Sequence, residues 1–85
     1  MLVSKKIAVV LTEVAKELNA AADAYKPFNS AHEGFAVLKE EVDELWHEVC
    51  KKPSVRSKER MLAEATQVAA MAMRFILDVC TENDE

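Results

Sequence analysis

The chain has few of the residues that interrupt helices or cross-link loops. Its 85 residues include one glycine, two prolines and two cysteines, whereas 51% are apolar. Two cysteines form at most one disulfide, and Cys50 and Cys80 lack the spacing of a metal or redox motif. The composition predicts an all-α fold, and we interpret both thiols as reduced cysteines of a cytoplasmic protein.

Two further absences narrow the range of partners. The sequence contains no run of about 18 apolar residues and no signal-peptide pattern, which argues against a membrane or secreted protein. The formal net charge of −4 argues against a broad basic surface for a nucleic acid polymer. We therefore expect neither a membrane nor a nucleic acid polymer as a partner.

The length predicts a single domain, residues 1–85, with an acidic, disordered tail at 81–85. A chain this short buries only about 60–65% of its unfolded surface, so its own core is small. Because disulfides do not compensate, we expect a homo-oligomer, either a dimer or a tetramer, to complete the helical bundle. The pattern alone does not separate these two states.

The apolar periodicity predicts three main helices in an antiparallel bundle. The first begins at the N-cap Ser4 and ends near Lys26, before Pro27. Its predicted buried stripe comprises Ile7, Val10, Leu11, Val14, Leu18, Ala21, Ala22 and Tyr25, and Glu17 is assigned to its polar face. The second helix begins at a capping box formed by Ser30 and Glu33 and ends at Cys50 or Lys51; the third spans about Ser57 to Val79.

The second helix carries carboxylates beside its apolar stripe. Leu38, Val42, Leu45 and Val49 define the stripe, in which each of the other three lies within about 40° of Leu38 on a helix. Glu41, Glu44 and Glu48 fall together on its flank and repel one another unless a cation lies among them. Hard cations such as Mg²⁺ take oxygen ligands, although a solvated acidic edge gives the same pattern.

The third helix is apolar on most sides, so we expect it to be the central helix. Glu64 is an isolated carboxylate in this helix, a costly arrangement unless the carboxylate is paired or binds a metal. Packed antiparallel to the second helix, the third helix can bring Glu64 and Gln67 to face Glu41 and Glu44.

These residues form two motifs, Glu40-Glu41-x-x-Glu44 and Glu64-x-x-Gln67, within the segments PFNSAHEGFAVLKEEVDELWHEV and EATQVAAMAMRFILD. Over residues 24–79 the sequence resembles the MazG-like nucleoside triphosphate pyrophosphohydrolases, an all-α superfamily that includes the dimeric dUTPases. The resemblance implies hydrolysis of (deoxy)nucleoside triphosphates to the monophosphate and pyrophosphate, a reaction on an acid anhydride. It also implies a Mg²⁺ cofactor that Mn²⁺ can replace. The implied role is either the removal of damaged nucleotides or the control of a nucleotide pool.

Carried over by position, Glu41, Glu44 and Glu64 are the implied catalytic residues and metal ligands. Gln67 stands where the common family pattern has Asp. Its amide oxygen can complete the ligand set, but with one negative charge fewer, which leaves the number of metals open. Glu41 or Glu44 is the first candidate to take the proton of the attacking water.

Substrate contacts are predicted from position along the chain. Arg56, Lys58 and Arg74 are candidates for phosphate contacts, although a basic connection is more often a solvated loop. Asn29 and His32 are candidates for contacts with the sugar or base. His32 lies at a helix N-terminus, where anions are favoured, although an exposed or capping histidine is the more common reason for such a position. The preferred base and sugar stay open, as does the choice for Phe28 between a plug over the core and an aromatic wall.

Two other functions compete with this interpretation. A non-catalytic module that binds nucleotides or a partner protein with the same fold is the main alternative, favoured by Gln67. A di-iron site is the second, because Glu44 and His47 have E-x-x-H spacing and Glu64 is a further carboxylate. Trp46 lies off the main apolar stripe, and we predict that it is buried at a subunit contact.

Overall fold

The computed structural model of the protein describes residues 3–81. They form α1 (Lys5–Ala24), α2 (Ala31–Val49) and α3 (Lys58–Phe75), followed by a π-helical turn at Ile76–Cys80. Residues 3–81 contain no strand, and three helices pack against one another, so the predicted all-α bundle is confirmed. Apart from Thr81, the tail expected to be disordered lies outside the described residues.

Each helix begins at the serine that the sequence predicts as its N-cap. The hydroxyl oxygens of Ser4, Ser30 and Ser57 accept hydrogen bonds of 3.2, 3.0 and 3.1 Å from the backbone N–H three residues later. The capping box differs from the prediction in one respect. The Glu33 carboxylate accepts a hydrogen bond from Asn29 N at 2.6 Å, which anchors the residue before the N-cap instead of the N-cap itself.

α3 is the central helix, as predicted, because it packs against both α1 and α2. Glu17 of α1 bonds to Gln67 of α3, and the Lys26 carbonyl just after α1 bonds to Arg74, so α1 and α3 run in the same direction. α2 runs antiparallel to both. This up-down-up order follows from the short connections between consecutive helices.

The only glycine of the chain, Gly34, lies where α2 closely approaches an aromatic ring of α3. A Cβ atom at Gly34 would lie 2.7 Å from Phe75 Cδ2 and 3.0 Å from Phe28 Cδ2, closer than carbon atoms pack. Gly34 is buried under these two aromatic rings. The ring of Phe28 is itself buried, so this residue is the predicted plug over the core.

The core is small and occupies one end of α1. Its buried members among the described residues are Val14, Ala21, Ala70 and Met71, with Leu18, Val37, Leu38 and Ala69 packed against them. The predicted stripe of α1 is therefore wrong over its first turns. Ile7, Val10 and Leu11 are exposed, and so is Tyr25 at the other end.

Three further details differ from the expectations. Val42 is 44% exposed, so it lies at the edge of the buried stripe of α2 and not within it. Glu17 is half-buried, because α1 turns its side chain toward Gln67 and not toward solvent. The α-helical pattern of α3 ends at Phe75, four residues before the predicted end at Val79.

No helix within residues 3–81 combines the length and the apolar character that crossing a membrane requires.

Candidate metal centre and adjoining cavity

The three carboxylates singled out by the sequence converge between α2 and α3. One carboxylate oxygen from each of Glu41, Glu44 and Glu64 lies within 4.8 Å of the other two. Glu41 and Glu64 are partly buried and Glu44 is exposed. One helical turn separates Glu41 from Glu44, and the antiparallel packing of α3 brings Glu64 to the same side.

Burial and mutual repulsion make two of these carboxylates hard to ionise. Burial raises the pKa of Glu41 above its ordinary value, and the charges of Glu44, Glu64 and Glu40 raise it further. Burial likewise raises the pKa of Glu64, followed by repulsion from Glu44, a hydrogen bond shared with Glu44, and repulsion from Glu48. Both shifts thus have the same two causes, burial first and repulsion between neighbouring carboxylates second.

A large cavity adjoins this cluster on the side of α1. It has a volume of about 710 Å³, within the range of small-molecule sites, and Glu41 lies on its wall. Aromatic and apolar walls come from Tyr25, Phe28 and Val37, and the other polar groups include Gln67 and Arg74. A shallower cavity of about 350 Å³ lies on the other side of the cluster, lined by Asp43, Glu44, His47, Glu48 and Glu64.

Gln67 lies in the larger cavity but is engaged with α1. Its Nε2 atom donates a hydrogen bond of 2.6 Å to Glu17 Oε2. Its neighbour one turn earlier, Glu64, belongs to the carboxylate cluster. The predicted role of Gln67 as a metal ligand stays a prediction, and its contact with Glu17 is one that the sequence did not indicate.

Arg74 lines the same cavity and is 7% exposed. Its Nη2 atom donates to the Lys26 carbonyl at 2.7 Å, and its Nε atom lies 3.5 Å from Asp78 Oδ2. The guanidinium carbon lies 4.0 Å from the centroid of the Phe28 ring and 5.6 Å from that of Tyr25. Arg74 therefore fastens the connection between α1 and α2 to α3, and its contact with a phosphate stays a prediction.

The two residues proposed to contact the sugar or base lie near the start of α2. Asn29 lines the larger cavity, and its Nδ2 atom lies 3.4 Å from Glu33 Oε2. His32 is exposed in the first turn of α2 and is not among the residues that line either of the two cavities. The structure thus places Asn29, but not His32, at the cavity wall.

The basic connection between α2 and α3 lies outside both cavities. Arg56 Nη1 donates to the Val49 carbonyl at 3.1 Å, which satisfies a backbone acceptor at the end of α2. Lys51 Nζ lies 2.9 Å from Glu48 Oε1, and this hydrogen bond lowers the pKa of Glu48. Lys58 is exposed in the first turn of α3. The predicted phosphate contacts of Arg56 and Lys58 are not brought to the cavities described above.

Sequence reasoning missed two residues that hold side chains of the larger cavity in place, Glu17 through Gln67 and Asp78 through Arg74. Glu17 was assigned to solvent, and the signal that could have found it is its position one residue before Leu18 of the buried stripe. The second is Asp78, whose carboxylate accepts a hydrogen bond of 3.0 Å from Phe28 N and pairs with Arg74. The π-helical turn that carries Asp78 has no signal in the apolar pattern.

The di-iron alternative requires His47 to lie beside the carboxylates, and the structure does not place it there. Among residues 3–81, the side chains close enough to share one ion are the three glutamates, and His47 does not belong to that group. His47 is exposed on the wall of the shallower cavity.

Comparison with protein-family models, curated proteins and solved structures finds no match to this chain.

Proposed function

We propose that this protein is a Mg²⁺-dependent nucleoside triphosphate pyrophosphohydrolase, active on ribo- or deoxyribonucleotides. The observation that carries the proposal is the convergence of Glu41, Glu44 and Glu64 beside a cavity of about 710 Å³. The motif resemblance of the same three residues supports it. The reaction adds water across the bond between the α and β phosphates and yields the monophosphate, pyrophosphate and a proton.

The donor set fits a hard divalent cation. Three carboxylate oxygens lie within 4.8 Å of one another, and burial, followed by repulsion between the carboxylates, raises the pKa of Glu41 and of Glu64. Mg²⁺ and Mn²⁺ prefer oxygen ligands of this kind. A bound cation there would neutralise phosphate charge and make a coordinated water more acidic.

Residues of the chain would accept the proton and contact the substrate. Among the three carboxylates, Glu41 lines the larger cavity, so it is the one positioned to accept a proton from a water held there. The exposed Tyr25 ring offers apolar surface for a sugar or base, and Asn29 offers an amide at the same wall. Glu44 and Glu64 would contribute the other carboxylate oxygens of the cation site.

A non-catalytic binding module is the second candidate. The hydrogen bond between Gln67 and Glu17 favours it, because an amide held by α1 at 2.6 Å is less free to serve a cation. This candidate keeps the cavity and its nucleotide, and it differs in turnover alone. A homo-oligomer and a cytoplasmic location also belong to the proposal.

The experiment measures products by ³¹P NMR after incubating a panel of ribo- and deoxyribonucleoside triphosphates with the protein. Samples contain either Mg²⁺ or EDTA. Glu64→Gln removes one carboxylate of the cluster, and Glu13→Gln removes an equal charge from the exposed surface of α1. We expect pyrophosphate and monophosphate with Mg²⁺ from the wild type and from Glu13→Gln, and none with EDTA or from Glu64→Gln.

Release of phosphate and a diphosphate instead of pyrophosphate would contradict the proposed bond cleavage. Tight nucleotide binding without turnover, measured by calorimetry on the same samples, would favour the binding module.

A further inference from the structure

Gln67, the only glutamine of the chain, lies one helical turn after Glu64 on α3. Side chains three positions apart on a helix are neighbours, so position 67 adjoins one member of the carboxylate cluster. Gln67 also lines the same cavity as Glu41, a second member of that cluster. The amide is therefore related to two of the three carboxylates, to Glu64 along α3 and to Glu41 by the shared cavity.

The hydrogen bond to Glu17 determines which end of the Gln67 amide is free. An ionised carboxylate accepts hydrogen bonds and donates none, so it selects the amide nitrogen over the amide oxygen. Gln67 Nε2 accordingly lies 2.6 Å from Glu17 Oε2. The amide oxygen occupies a different corner of the same planar group, and it accepts no hydrogen bond from residues 3–81. The contact with α1 thus leaves the oxygen of Gln67 available to a ligand.

Glu17 brings a negative charge to this contact without a cationic side chain to balance it. The residue is half-buried, and the ion pairs within the described part of the chain do not include it. A carboxylate that is withdrawn from water is costly unless donors or a cation balance its charge. The Gln67 amide supplies a donor but no positive charge. With Glu17 ionised, the two side chains together carry the one negative charge that an aspartate at position 67 would carry.

We propose that Glu17 is a positioning residue for the divalent cation and acts through Gln67. The inference rests on the proposed function, because it takes the cation site at Glu41, Glu44 and Glu64 as given. Glu17 holds the amide nitrogen toward α1, so that the amide oxygen and not the nitrogen faces the cation. Donation from Nε2 to a carboxylate also makes the oxygen a stronger ligand, as a carboxylate partner does for a metal-bound histidine.

The departure from the family pattern at position 67 is then compensated from a different helix. α1 supplies, one hydrogen bond away, the charge that α3 lacks. The non-catalytic module requires the opposite consequence of the same contact, because there α1 withdraws Gln67 from the cation. Removing the charge of Glu17 would release the amide in that case and leave cation binding unchanged or stronger. The two consequences are separated by the affinity for a cation.

The first test measures the Mn²⁺ affinity of the full chain by electron paramagnetic resonance. Glu17→Gln keeps an acceptor of the same length, but it removes the charge and allows the paired amides to reverse. We expect this variant to bind Mn²⁺ about 10-fold more weakly than the wild type. Unchanged or stronger binding would overturn the proposal.

Glu40→Gln is the matched control for this loss of charge. Glu40 is exposed, lines the same cavity and acts by its charge on Glu41, but it does not accept the hydrogen bond of Gln67. We expect its replacement to weaken Mn²⁺ binding by less than about 3-fold. A loss equal to that of Glu17→Gln would overturn the proposal, because general charge in the cavity would then explain both.

The second test asks whether Glu17 acts through position 67. In the variant Gln67→Asp, the side chain at this position carries its own charge and has no nitrogen to present, so it needs no orienting partner. We expect Glu17→Gln to weaken Mn²⁺ binding of this variant by less than about 3-fold. The full 10-fold loss in this background would overturn the proposal, since Glu17 would then act without Gln67.

The third test uses the unaltered chain, so it does not depend on the folding of any variant. Because Gln67 is the only glutamine, ¹³C labelling of glutamine gives a single side-chain carbonyl signal in NMR spectra. We expect Mg²⁺ to shift this signal over the same concentration range in which it displaces Mn²⁺. A signal that does not respond while Mg²⁺ binds would overturn the role of Glu17 and leave the proposed function standing. Failure of the wild type to bind either cation would overturn both.

Discussion

The amide of Gln67 donates a hydrogen bond of 2.6 Å to the carboxylate of Glu17, and this contact joins α3 to α1 at the wall of the larger cavity. Both residues are partly buried, so each would leave a polar group poorly satisfied if the other were removed. The contact also directs the amide nitrogen of Gln67 toward α1, whereas Glu41, Glu44 and Glu64 converge between α2 and α3. The stability of variants at position 67 therefore depends on this contact.

Replacing Gln67 by Asp is expected to destabilise the metal-free protein by about 1–2 kcal/mol. The shorter side chain does not reach Glu17, and it adds a negative charge beside a cavity that already holds Glu41. We expect Mg²⁺ to restore more stability to this variant than to the wild type, measured as the free energy of unfolding in urea with Mg²⁺ or EDTA. Gln67→Asn is the control, because it shortens the side chain without adding charge. Equal responses of both variants to Mg²⁺ would show that position 67 lies outside the reach of the cation.

Glu41→Gln is expected to stabilise the metal-free protein at neutral pH. Because the pKa of Glu41 is raised in the folded state, the folded chain holds this proton more tightly than the unfolded chain, and ionisation costs stability as the pH rises above the ordinary value of 4.5. The amide removes this cost. The gain should be absent near pH 4, grow as the pH increases, and reach a plateau of a few degrees in the unfolding midpoint by neutral pH.

The measurement is thermal unfolding in EDTA across this pH range, with Glu13→Gln as the control. Glu13 is exposed and pairs with Lys16 at 3.0 Å, so its neutralisation should give no gain that grows with pH. An equal gain for Glu13→Gln would mean that net charge, and not the carboxylate cluster, determines the pH dependence.

Gly34→Ala is expected to destabilise the protein by about 1–3 kcal/mol, although alanine favours helix over glycine by about 1 kcal/mol. The added Cβ would meet Phe75 Cδ2 at 2.7 Å and force the ring, or the whole of α3, to move. Chemical denaturation measures the loss. Combining Gly34→Ala with Phe75→Leu should recover part of it, because the smaller side chain vacates the contact. A stabilised single variant would contradict the close approach of α2 and α3.

Arg74→Ala is expected to cost about 3 kcal/mol, because it leaves the Asp78 carboxylate and the Lys26 carbonyl without their donor and uncovers the Phe28 ring. Lys39→Ala is the matched control. It breaks a shorter ion pair of the same i, i+4 spacing, 2.9 Å from Asp43, but both side chains are exposed. We expect less than about 1 kcal/mol there, by the same denaturation measurement. Equal losses would contradict the anchoring role of Arg74.

The sequence allowed features of the fold to be predicted correctly where a local signal was strong. A serine caps each of the three helices: Ser4, Ser30 and Ser57. These caps could be predicted because the serine hydroxyl and the N–H group that it binds are only three residues apart in the sequence. The convergence of Glu41, Glu44 and Glu64 also followed, because helical spacing and a short connection leave few other packings for α2 and α3.

Other features could not be predicted from the sequence because they depend on how the helices pack against one another. The periodicity of α1 marks Ile7 and Val14 alike as apolar, and only the packing shows that α3 covers Val14 and leaves Ile7 exposed. The same crossing angle decides that Glu17 faces Gln67. Arg74 was predicted as a phosphate ligand from its position along the chain. Its i, i+4 spacing to Asp78 is a local pattern, whereas its contact with the Phe28 ring joins distant parts of the chain that no local pattern connects.

The central claim is that Glu41, Glu44 and Glu64 together hold one divalent cation site, and Mn²⁺ binding measured by electron paramagnetic resonance tests it most directly. The free-ion signal is titrated with the wild type, Glu64→Gln and Glu13→Gln at neutral pH. We expect the wild type and Glu13→Gln to bind Mn²⁺ with the same affinity, Mg²⁺ to displace it, and Glu64→Gln to bind it at least 10-fold more weakly. Equal binding by all three proteins, or no binding by the wild type, would contradict the account.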